Sequence, residues 1–166
     1  MKRSQVFLCA GTIFFLTGCV TQGYHTVRDS ASAAPVISMD RGAPFHWPLN
    51  GQVALGFASK DDGVSLKGIR ITAADGGIVQ ASTGGQVVYV DEKLRGYGKT
   101  VILEHRDGFS TVYSGVSEIL VRSGEYVRRG QAIAKVGRGG KGNQSQLYFQ
   151  IRKNSKAEDP LKFLSK

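Results

Sequence analysis

Residues 144–152 read QSQLYFQIR and follow the loop GRGGKGN at 137–143. Leu147, Phe149 and Ile151 alternate with Gln146, Tyr148 and Gln150. An apolar row alternating with a polar row at period two describes a strand with one face in a core. The polar row raises the functional question: a glutamine and a tyrosine stand together beside a loop of glycines and cations.

The same period runs outward through the chain. Strands are expected at 52–57, 68–71, 78–81, 85–91, 99–105, 109–113, 132–136 and 146–151. Turn residues fall between them at 74–77, 83–85, 95–98 and 106–108, the last carrying an Asp-Gly hairpin signal. Only 116–121 suits a helical turn. The expected fold is all-β: a small antiparallel domain of about 122 residues, 45–166, large enough for one core.

The amino-terminal residues read differently. Lys2 and Arg3 precede an apolar stretch, 6–17, shorter than the ~20 residues a membrane-spanning helix needs. It ends in Leu16-Thr17-Gly18-Cys19, which resembles a bacterial lipobox. That resemblance implies a signal peptide at 1–18 and lipidation of Cys19. Val20 in place of an aspartate implies export to the outer membrane, where multiple acyl chains give stable attachment. The only other cysteine, Cys9, is lost with the signal, so the domain has no thiol for a disulfide, a zinc site or a nucleophile. Residues 19–44 read as a lipidated end and a flexible linker rich in small residues, with a reach on the order of 28 Å.

The formal net charge is +9, and nine basic residues against one acid lie between Arg122 and Lys156. That suggests a cationic face. An exported lipoprotein does not meet nucleic acid, which leaves anionic wall polymer, an acidic protein partner or a plain solvated surface.

Residues 121–137 repeat turns and short strands as V..G..V..GQ.IA.VG. Swivelling biotin or lipoate carriers use a similar pattern with a modified lysine at a hairpin tip, whereas Lys135 sits inside a strand. Further motifs are Trp47-Pro48-x-x-Gly51, Lys67-Gly68-Ile69, Gly85-x-Val87-Val88-Tyr89, Gly96-Tyr97-Gly98, Gly108-x-x-Thr111-x-Tyr113 and Asp159-Pro160. In their order and spacing they resemble the lysostaphin-type (LytM) zinc metallopeptidase domain, in particular its NlpD-type members.

The resemblance also shows what is missing. Active members place a His and an Asp ligand in a His-x-Gly-[Ile/Leu]-Asp motif; Leu66 and Arg70 stand there. A Tyr-x-His motif supplies a catalytic histidine, where this chain has Gly115. A His-x-His strand supplies a catalytic histidine and a third ligand, replaced by Gln146 and Tyr148. Zinc takes imidazole nitrogen, thiolate or carboxylate oxygen, and none of these five offers one. His25, His46 and His105 share no ligand spacing, and the pair Asp61-Asp62 reads as a solvated loop. The expectation is a chain without catalytic residues, metal or cofactor.

Zinc-less members of the family activate N-acetylmuramoyl-L-alanine amidases through the degenerate cleft. The resemblance therefore implies an outer-membrane lipoprotein that faces the periplasm and switches on such an amidase during cell separation. Leu66, Arg70, Gly115, Gln146 and Tyr148 would form the partner site, with Lys67, Arg138 and Lys141 as further wall or partner contacts. The alternative is a lipoprotein that binds peptidoglycan, or scaffolds an envelope complex, without activating anything.

Overall fold

The computed structural model describes residues 45–94, 96–138 and 144–165. The signal, Cys19, the linker and Lys141 lie outside the described residues. The strands are β1 (Gln52–Leu55), β2 (Lys60–Asp61), β3 (Val64–Ser65), β4 (Ile69–Ala73), β5 (Ile78–Gln80) and β6 (Gly85–Leu94). Next come β7 (Gly98–Glu104), β8 (Phe109–Ile119), β9 (Tyr126–Val127), β10 (Ala132–Val136), β11 (Ser145–Lys153) and β12 (Lys156–Glu158). Ten of them form one sheet in the order β1-β4-β11-β8-β7-β6-β9, with β10 joining β8 to β5 and β12 paired to β11. Every strand pairing is antiparallel. Strands β2 and β3 form a separate hairpin.

The alternation in β11 does what its period requires. Leu147, Phe149 and Ile151 are fully buried in one core with Ile69 and Ile71 of β4, Val101 and Leu103 of β7, and Tyr113 of β8. Burying such side chains stabilises the fold by about 1.5–3 kcal/mol each. The Asp-Gly signal is a type I′ turn: Asp107 (φ 57°) and Gly108 (φ 72°) are both left-handed, and Phe109 N–H donates to Arg106 C=O. The two ends of the described domain close on each other. Ser165 N–H donates to Phe45 C=O at 2.8 Å, and Trp47 Nε1–H donates to Ser165 C=O at 2.8 Å. The tryptophan of the Trp-Pro motif thus serves as a clasp.

Two expectations change. Residues 116–119 are not helical but continue β8, because Val116 pairs with Val136 and Ile119 with Ala134 on β10. Nor does the basic run form one face. Lys135 lies opposite Glu118 while Arg152 lies opposite Ser110, toward the other end of β8 and roughly 25 Å away at strand rise. Strands β10 and β11 are sequence neighbours, but each pairs with a different end of β8, so their cations separate.

His105 is a structural residue. Its Nδ1 is 3.0 Å from Gly84 C=O, which can only accept, so Nδ1 carries the proton. Nε2 lies 2.8 Å from Thr111 Oγ1. Burial pushes its pKa down, against the opposing effect of the Gly84 bond, so the ring is held neutral.

Candidate functional site: a groove at the β8 bulge

Strand β8 changes partners at one residue. As far as Ser114 it pairs with β11, where Tyr148 faces Ser114; from Val116 it pairs with β10. On its other side the register against β7 slips between Lys99 and Thr100. Gly115 is the extra residue of this bulge and sits at φ 80°. Its N–H donates to Tyr97 C=O at 3.1 Å, which ties down the β6–β7 turn, and its C=O accepts from Gly137 N–H at 3.2 Å. A Cβ at this position would lie 2.8 Å from Gln146 C=O.

The bulge opens a groove of about 580 Å³ on the outer face of the sheet. Its floor carries Arg70 of β4 and Tyr148 of β11, which are register partners, with Gly115 beside them. The β2–β3 hairpin forms one wall through Asp61, Val64 and Leu66, and the turn at Gly96, Tyr97 and Gly98 another. All five positions singled out by the resemblance, Leu66, Arg70, Gly115, Gln146 and Tyr148, line this groove, as do Lys67 and Arg138.

The chemistry of the lining is specific. Tyr148 is 6% exposed, and the Tyr97 ring packs against it with centroids 5.5 Å apart at 53°. Burial pushes the Tyr148 phenol up to about 12, with Tyr97 adding to the effect and Arg152, Arg70 and the Lys67 backbone opposing it. At neutral pH it is a neutral phenol. Arg70 Nε donates to Asp61 Oδ2 at 2.7 Å, and Nη2 donates to the same oxygen. Asp61 is thus half-buried and paired, not the solvated loop acid the sequence suggested, because β3 returns the chain so that β2 faces Arg70. Leu66 closes the base of the hairpin through backbone bonds with Ala58 and Ser59.

Asp61, Tyr97 and Lys99 are groove residues that sequence reasoning passed over. Tyr97 carried a signal, an aromatic between two glycines in a turn. For Asp61 the signal was indirect, since an arginine on a strand at the edge of a cleft calls for a carboxylate.

Zinc does not fit this donor set. The groove presents an aliphatic side chain, a guanidinium, a glycine, a carboxamide and a protonated phenol, and its one carboxylate is held by Arg70. Among the described residues no group of three or more His, Cys, Asp or Glu could hold a metal ion. What the groove can do is bind: four cations, Lys67, Arg70, Lys99 and Arg138, stand beside aromatic and aliphatic surface.

The fold is that of a peptidase-family domain: peptidase family M23 matches residues 64–160. The chain belongs to that family. It is similar to outer membrane antigenic lipoprotein B of Haemophilus influenzae, 37% identical over 90% of this chain and 35% of that protein. It is also similar to the murein hydrolase activator NlpD of Escherichia coli, 36% identical over 72% of this chain and 31% of that protein. The chain therefore spans about a third of the length of these curated relatives. Among solved structures, lysostaphin from Staphylococcus simulans aligns with a TM-score of 0.64 and 27% identity over 72% of this chain and 53% of lysostaphin.

Proposed function

We propose that this chain is a non-catalytic lipoprotein that activates a periplasmic N-acetylmuramoyl-L-alanine amidase, and that it does so through the groove. The observation that carries the reading is the groove itself. It gathers all five positions where the family resemblance expects ligand or catalytic residues, and its one carboxylate, Asp61, is held by Arg70. A cleft without cutting chemistry remains a binding surface. Relatives named as a murein hydrolase activator and as an outer membrane lipoprotein support the same reading. Cys19 would be the lipid anchor, holding the domain at the outer membrane on the periplasmic side.

Activation is then a population shift. The chain must bind the open amidase more tightly than the closed one, and the ratio of the two affinities sets the gain. Arg70 supplies a directional charge-assisted donor, and Tyr97, packed on buried Tyr148, supplies aromatic surface.

The test measures dye release from labelled peptidoglycan by the chain alone, with an amidase, and with an amidase plus the Arg70→Asp variant. Release only in the presence of amidase, lost in the variant, is expected. Chelator-sensitive release by the chain alone would contradict the reading. Sedimentation with the wall and no rate change with any amidase would favour a peptidoglycan-binding lipoprotein instead.

A further inference from the structure

The chemistry of the groove narrows what it takes, given the binding role just proposed. We propose that it receives an acidic segment of a protein partner, and that Asp61 is an internal stand-in which a partner carboxylate displaces from Arg70.

The four cations are not equivalent. Lys99 pairs with Glu92 at 2.6 Å and Arg138 with Asp75 at 3.2 Å, both pairs well exposed and therefore weak. Lys67 has no carboxylate partner among the described residues. Arg70 is different. Its side chain is 29% exposed, and both Nε and Nη2 are directed at one Asp61 oxygen. The groove therefore already displays the ligand chemistry that its guanidinium selects, a carboxylate.

Asp61 is also held in a way that permits exchange. It lies on a hairpin of two residues per strand that shares no ladder with the main sheet. The hairpin is closed at its base by bonds of Ala58 and Ser59 with Leu66, and its Val64 is 70% exposed. Swinging Asp61 away breaks one partly solvated ion pair and no bond of the main sheet. An incoming carboxylate would replace that pair and gain Lys67 besides.

The apolar part of the lining favours a protein over the other source of carboxylates, the wall polymer. Val64 and the 48%-exposed Tyr97 flank the cations, with Leu66 and Val116 in the same lining. Such surface matches acidic residues set among large apolar ones, whereas the wall's stem-peptide carboxylates sit on short peptides whose apolar side chains are mostly alanine methyls.

The experiment uses the full chain in detergent and measures anisotropy of a short labelled Glu/Leu peptide, with a Lys/Leu peptide and isolated sacculi as comparisons. The Glu/Leu peptide is expected to bind more weakly as salt rises and to fail with Arg70→Ala. Asp61→Ala and the shape-preserving Asp61→Asn should each tighten binding by about two- to fivefold, the range of an exchangeable surface pair. Wild-type or weaker affinity in both Asp61 variants overturns the proposal. So does equal binding of the Lys/Leu peptide, or Arg70-dependent retention on sacculi without peptide binding. Dye release run in parallel separates the two readings: if Arg70→Ala loses activation while the Asp61 variants change nothing, the groove role stands and the internal stand-in does not.

Discussion

Replacing Gly115 tests whether the bulge shapes the groove. The residue sits at φ 80°, where an L side chain costs roughly 1–2 kcal/mol. Its Cβ would also lie 2.8 Å from the Gln146 carbonyl, a backbone atom that cannot move without disturbing the β4–β11 ladder, where Gln146 pairs with Thr72. The contact should add about 1–2 kcal/mol, typical of overpacking. Gly115→Ala should therefore destabilise the chain by about 2–4 kcal/mol, lowering Tm by roughly 6–15 °C for a domain of this size. Gly124 provides the control: its φ is 89°, with nothing within 4 Å of an added Cβ, so Gly124→Ala should show the backbone cost alone. Urea and thermal unfolding of both variants would measure the difference. Equal losses at the two sites would refute the argument that Gln146 and Gly115 are packed too closely for a side chain. If the difference is found, a histidine cannot simply be put back at this position, and a peptidase site would require the bulge itself to be rebuilt.

Three further outcomes are expected. His105 is neutral when folded, with its pKa below the unfolded value, so its contribution to stability is full above about pH 6.5 and is lost as pH falls through the folded pKa; Tm measured against pH should show an acid-side slope that flattens in His105→Gln. Tyr148 is raised to about 12, so it favours the fold up to about pH 10 and loses that contribution as pH climbs toward 12; Tyr113 and Tyr89 are raised too, so ultraviolet titration should show a late phase that shrinks by one tyrosine in Tyr148→Phe. Asp75 accepts from buried Ser145 Oγ at 2.8 Å besides pairing with exposed Arg138. Asp75→Ala should therefore cost about 1–3 kcal/mol, and Arg138→Ala under about 1 kcal/mol, by urea unfolding.

Much of this protein can be read along the chain. Period two in β11 assigns Leu147, Phe149 and Ile151 to the core, because alternate side chains on a strand leave opposite faces whatever the partner strand. The Asp107-Gly108 turn is equally local, since the two residues tolerate left-handed backbone on their own account. That Leu66, Gly115, Gln146 and Arg70 cannot ligate zinc follows from their atoms alone.

Tertiary structure decided whatever depends on register between distant strands. Asp61 is a solvated loop acid by sequence and a half-buried partner of Arg70 in the fold, because hairpin β2–β3 turns β2 toward the groove. The basic run looks like a face by sequence and is scattered in space, because β10 and β11 pair with opposite ends of β8. Gly115 reads as a lost histidine by resemblance, yet only the slip against β7 and the change of partner at Val116 show that the backbone there has no room for one. Composition and period are properties of neighbouring residues. Ion pairs, bulges and grooves are made between residues far apart in the chain, and their geometry exists only once the sheet has closed.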